Sequence, residues 1–103
     1  MLGRLPKSGA YTHPGEMLEE EFLKPLGISQ SRLARHIDVN PRVVNEICRG
    51  KRGISVRMAQ LLEAALGMDA DFWLRLQMMY DLSVNRIKKS ERPKRLPEAI
   101  HAA

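Results

Sequence analysis

A chain of 103 residues has the length of one domain, so a single hydrophobic core has to account for the fold. Aromatic residues make up 5% of it against 44% apolar overall, which leaves the core to Leu, Ile, Val, Met and Ala and points to an all-α domain. A net charge of +5 with a pI near 9.8 favours a polyanionic partner, nucleic acid ahead of a membrane surface, over an enzyme for acidic substrates.

The stretch from Met1 to Thr12 carries Gly3, Pro6, Ser8 and Gly9 without helical period and is expected to be a loose arm (1–12). It also lacks the apolar centre of a signal peptide, and no run is long enough to span a membrane. Cys48 is the only cysteine, which excludes an intramolecular disulfide; a reducing cytoplasm is the expected location. The first helix is expected from Pro14 to Leu26. Pro14 suits a first turn, Glu16, Glu19, Glu20 and Glu21 suit the positive end of the helix dipole, and Pro25 with Gly27 closes it. Met17, Leu18 and Phe22 form its buried face. Ser29 caps a short second helix with Leu33, Ala34 and Ile37 inward. After the link Asp38-Val39-Asn40, Asn40 caps a third helix that starts at Pro41 and stops at Gly50. Ser55 caps a fourth, with Met58, Leu61, Leu62, Ala65 and Leu66 on one face until Gly67. Asp69 caps a long fifth helix running to about Lys88, and the basic tail beyond it (90–103) is expected to be mobile.

Ser29 to Arg49 therefore fit a helix-turn-helix whose second helix is free to enter a major groove. Val44, Ile47 and Cys48 form the buried side of that helix, and Pro41, Arg42, Asn45, Glu46 and Arg49 lie outward. The outward side chains suit base reading: Arg42 for guanine, Asn45 for adenine, Glu46 for cytosine, and Val43 for a thymine methyl. The loop from Arg49 to Gly53 places Arg49, Lys51 and Arg52 on a flexible backbone suited to phosphates. Gln30, at a helix N-terminus, joins Arg32 and Asn40 in that phosphate-facing set. From Ile28 to Arg57 seven cations face only Asp38 and Glu46, whereas the first helix sets four Glu against Lys24, which suggests a DNA face and a separate acidic face.

On the fifth helix, Phe72, Trp73, Leu76, Met79, Tyr80 and Ile87 cluster on a core side, while Leu74, Met78 and Leu82 repeat on another. The second stripe suits a homodimer interface or packing against the chain's own arm or tail. His13, His36 and His101 are far apart and show no metal-ligand spacing, so neither metal, cofactor nor catalysis is expected.

The string HPGEMLEEEFLKPLGISQSRLARHIDVNPRVVNEICRGKRGIS, followed by DFWLRLQMMYDL, resembles the HigA (VapI-like) antitoxins, a branch of the lambda-repressor-like helix-turn-helix family. The resemblance covers about His13 to Lys88 and implies a five-helix domain (13–89) with a long C-terminal helix. It also implies a dimer that binds the operator of its own operon and neutralises a RelE-like toxin that cuts mRNA on the ribosome. By that resemblance Gln30 matches a phosphate-binding glutamine, and Pro41, Arg42 and Glu46 match base-facing positions. Pro41 stands where such repressors often carry a polar reader, which moves the burden to Arg42 and Asn45. Glu19, Glu20 and Glu21 are candidates for steering a basic toxin, or simply a solvated first turn. A stand-alone dimeric regulator without a toxin remains the alternative.

Overall fold

The computed structural model describes residues 12–101, and the arm expected at 1–12 lies outside them except for Thr12. Five helices carry the fold among the described residues, which show no strand. Helix α1 is one continuous run made of an α-helical turn Pro14–Met17, a π-helical stretch Leu18–Leu23 and a final turn Lys24–Leu26. Its N-cap is His13, whose Nδ1 accepts from the Gly15 N–H at 2.9 Å, with Pro14 filling the first position. The π stretch was not foreseen. Its wider bonding, in which the Lys24 N–H donates to the Glu19 carbonyl, brings Leu23 onto the face of Leu18 and Phe22. All three are buried, while Met17 packs only partly against the core. Gly27 closes α1 in the left-handed conformation at φ 66.

Helix α2 spans Gln30–His36, with the Ser29 hydroxyl accepting from the Arg32 N–H at 3.0 Å. Helix α3 spans Pro41–Cys48, with Asn40 Oδ1 accepting from the Arg42 N–H at 2.9 Å. Between them Asp38 adopts φ 57, a left-handed turn that an aspartate tolerates better than most residues. Helix α4 spans Val56–Leu66, capped by Ser55 and ended by Gly67 at φ 82. Helix α5 spans Ala70–Val84.

The core joins Leu18, Phe22 and Leu23 of α1 to Leu33, Ala34, Val44, Ile47, Met58, Ala59, Leu62 and Trp73. Trp73 sits at its centre, with Phe22 tilted against it at 5.1 Å and Phe72 edge-on at 5.2 Å. Helix α2 packs on α3 and α4 on α5, while α1 touches both α3 and α5.

Two expectations for α5 need correction. Asp69 occupies the N-cap position without a capping side chain; Glu63 of α4 accepts from the Ala70 N–H at 2.9 Å instead. The helix also stops at Val84 rather than Lys88, so Ile87 lies outside it and is exposed, not in the core. By Tyr80 the helix has passed the core, and among the described residues its last turn adds no buried side chain; Asn85 Nδ2 then donates to the Asp81 carbonyl at 2.9 Å. From Val84 to Ala99 every side chain is exposed, and the chain forms 3-10 turns at Lys89–Glu91 and Pro97–His101.

Candidate nucleic-acid interface

Helix α3 is fixed from behind by Val44 and Ile47, both buried. Burial of two aliphatic side chains of this size is worth about 1.5 to 3 kcal/mol each. The start of α1 presses on its far end so closely that a Cβ added at Gly15 would stand 1.6 Å from the Ile47 carbonyl oxygen. Only glycine admits that approach. Gly50, at φ 74, turns the chain out of α3, and His13 covers it while stacking edge-on to Tyr80 of α5 at 4.8 Å.

The outer side of α3 carries Pro41, Arg42 and Asn45 exposed, with Glu46 half-buried beside them. Val43 is half-buried and leans on the core, so it offers less outward surface than its sequence position suggested. Glu46 holds two arginines. Arg52 Nε donates to its Oε1 at 2.9 Å, and Arg42 Nε lies 3.3 Å from its Oε2. The Arg52 guanidinium that donates to Glu46 keeps its carboxyl below the usual range, and Arg42 adds to the effect. The Arg42 side chain stays 81% exposed, and a guanidinium has five N–H donors, so this pairing orients the group without exhausting it.

Asn45 is tied to the helix before it: its Nδ2 donates to Gln30 Oε1 at 3.0 Å, while Gln30 Nε2 donates to Glu19 of α1 at 2.5 Å. The expected separation of an acidic face from the DNA face is therefore incomplete, because Glu19 belongs to this network. Asn40 commits its side-chain oxygen to the cap of α3. Arg32, Arg49, Lys51 and Arg52 are all exposed; Arg52 reaches Glu46 on α3, whereas Arg32 lines a separate groove with His36, Ala65 and Leu66.

The basic loop after α3 has an anchor that sequence reasoning missed. Gln77 of α5 accepts from the Ile54 N–H through Oε1 at 2.7 Å and donates through Nε2 to Asp81 at 2.9 Å. A Cβ at Gly53 would come within 3.1 Å of the Gln77 amide, so the loop lies directly on it. The only sequence signal was a polar residue set between Leu74 and Met78.

A groove of about 580 Å³ opens beside the junction of α1 with the end of α3, lined by His13, Glu16, Glu19, Glu20, Cys48 and Arg49 among others. Burial pushes the Cys48 thiol up to about 12, with Glu19 beside it reinforcing the shift, so it stays protonated and unreactive. Among the described residues no group of three or more His, Cys, Asp or Glu is arranged to hold a metal ion, and no helix is long and apolar enough to cross a membrane. Glu20, in the lining of that groove, pairs with Lys24 at 2.7 Å.

On α5 the second stripe divides. Leu74 packs partly against the core, while Met78 and Leu82 are 55% and 50% exposed. With Gln77, Asp81 and Asn85 they line a shallow apolar groove of about 510 Å³.

Comparison with known proteins fits this geometry. Residues 20–73 match the helix-turn-helix family, a segment that holds α2, the turn, α3 and α4. Virulence-associated protein I of Dichelobacter nodosus is 47% identical over 70% of this chain and 67% of its own length. The Pseudomonas aeruginosa antitoxin HigA, solved with the higBA promoter, is 44% identical over 71% of this chain and 79% of that one, with a TM-score of 0.70. Antitoxin GraA in complex with its operator is 36% identical over 90% of this chain and 98% of that one, with a TM-score of 0.77. The chain belongs to the helix-turn-helix family, in its HigA (VapI-like) branch of DNA-binding regulators.

Proposed function

We propose that the protein is the antitoxin of a type II toxin-antitoxin pair, which binds its own operator as a dimer, represses its operon and neutralises a RelE-like mRNA-cleaving toxin from the adjacent gene. The observation that carries the reading is an exposed α3 face of Arg42 and Asn45, oriented by Glu46 and Gln30, in a chain similar to antitoxins solved with promoter and operator DNA. In this reading Arg42 and Asn45 read bases, with Pro41, Val43 and Glu46 at the same groove wall. Gln30, Arg32, Asn40, Arg49, Lys51 and Arg52 face phosphates. Glu46 acts mainly by aiming Arg42 and Arg52, since each of its oxygens already faces one of their guanidinium groups.

Two copies pair through Leu74, Met78 and Leu82, which hides the exposed apolar groove of α5 and sets two recognition helices about one DNA turn apart. The toxin is basic and is drawn by the acidic side chains of α1 at Glu20 and Glu21, with Glu19 turned toward Gln30. The protein works in the cytoplasm, where both DNA and ribosomes are found.

Footprinting on the chain's own promoter, with and without the adjacent gene product, tests this. Two protected half-sites one turn apart and a stable complex with that product are expected. Absence of any protected site overturns the DNA reading; protection without a complex leaves a stand-alone regulator.

A further inference from the structure

We infer that Glu19, on a helix outside the helix-turn-helix, is a positioning residue for base choice: it fixes the polarity of the Gln30 and Asn45 amides and thereby selects adenine over guanine. The inference rests on the proposed DNA reading by α3. It starts from the chain of bonds in which Gln30 Nε2 donates to Glu19 and Asn45 Nδ2 donates to Gln30 Oε1. These residues come from three different helices and are 11 and 15 positions apart in sequence, so no local pattern imposes their contact.

The chemistry runs in one direction. A carboxylate only accepts, whereas an amide has a donating and an accepting end that are nearly the same shape. Facing Glu19, Gln30 must present its NH₂, which turns its oxygen toward Asn45. Asn45 must then give that oxygen one of its two N–H groups. What remains outward on Asn45 is its carbonyl oxygen and one N–H, an acceptor beside a donor. Adenine shows the matching pair in the major groove, an N6 donor beside the N7 acceptor. The opposite polarity would engage the Asn45 oxygen with Gln30 and turn both N–H groups outward, matching the two acceptors O6 and N7 of guanine. Gln30 keeps its second N–H for a phosphate, so positioning and phosphate contact are compatible. Glu19 is half-buried and needs no contact with DNA for this role.

The test is selection of the full chain on a pool of randomised DNA duplexes, with the bound fraction sequenced and melting curves recorded for each variant. The wild type is expected to enrich adenine at a position whose preference Asn45→Ala abolishes. Glu19→Gln, whose amide both accepts and donates, should lose on the order of tenfold of that preference while the position read by Arg42 is unaffected. Glu19→Lys, whose ammonium only donates, should shift the same position from adenine toward guanine, a readout that a merely destabilised fold would not give. Retention of the adenine preference in both variants, or equal weakening at every position, overturns the inference. So does a motif with no position sensitive to Asn45→Ala, and in that case the DNA reading survives. A wild type that enriches no sequence overturns both.

Discussion

Helices α3 and α5 each bury one side in the same core, yet their outer sides are organised in opposite ways. On α3 the exposed side chains are already held by partners in the same chain, Arg42 by Glu46 and Asn45 by Gln30. On α5, Met78 and Leu82 stand in an apolar groove that the described residues leave uncovered. A polar surface pre-set in this manner meets a ligand at low ordering cost, whereas an exposed apolar groove gains most by excluding water with a partner. In the proposed function the first serves as the reading head and the second as the joint. The two are linked through Gln77, which lies in the α5 groove and also accepts from Ile54 at the end of the basic loop.

The strongest way to break this contrast is to push α3 off its support. Gly15→Ala places a methyl group against the Ile47 carbonyl and is expected to cost about 3 kcal/mol or more of stability, read as a fall in the urea midpoint. A midpoint within error of wild type would mean that α1 does not brace α3. Next comes the joint. Met78→Asp should leave the fold intact, because the side chain is exposed, but should give a monomer in sedimentation and weaken operator binding on the order of a hundredfold. A dimer that survives this change would move the interface elsewhere.

On α3 itself, Arg42→Ala should cost about 1 to 3 kcal/mol at the operator and relax preference at one base pair. Lys51→Ala should instead weaken all sequences alike and lower the slope of log K against log salt by about 1. If the two variants behave identically, the division between base reader and phosphate contact fails.

The smallest effect concerns the cap of α1. Burial holds the His13 imidazole below its ordinary value of 6.5, although Asp81 opposes the shift. The native chain therefore binds fewer protons than the unfolded one as pH drops below that value. The stability this contributes is present above about pH 6.5 and is lost as pH falls through the depressed native value. Protonation would also take Nδ1 from the Gly15 N–H and place a cation at the positive end of α1. The urea midpoint should fall between neutral and mildly acid pH, and His13→Asn, which keeps a capping acceptor, should flatten that fall. An equal fall in both proteins would place the titrating group elsewhere.

The contrast also separates what could be read from the sequence. Helix starts at Ser29, Asn40 and Ser55 and stops at Gly27 and Gly67 are local chemistry, visible without any tertiary structure. The buried pair Val44 and Ile47 follows from helical period alone. The end of α5 was misplaced because no Gly or Pro marks it; loss of core contact beyond Tyr80 does. The π stretch in α1 escaped for a related reason, since only packing shows that Leu23 must join Leu18 and Phe22. The bonds of Gln30 to Glu19, of Asn45 to Gln30 and of Ile54 to Gln77 each join separate parts of the chain, and amide or carboxylate side chains announce no partner in a sequence.

One comparison tests the central claim most directly: binding of the full chain to a duplex carrying its own promoter and to a scrambled duplex of equal composition, at physiological salt, with the mass of the complex measured. Two copies per promoter duplex, bound at least about a thousandfold more tightly than the scrambled one, are expected. A single bound copy, or equal affinity for both duplexes, would contradict a paired reading head built on α3 and α5.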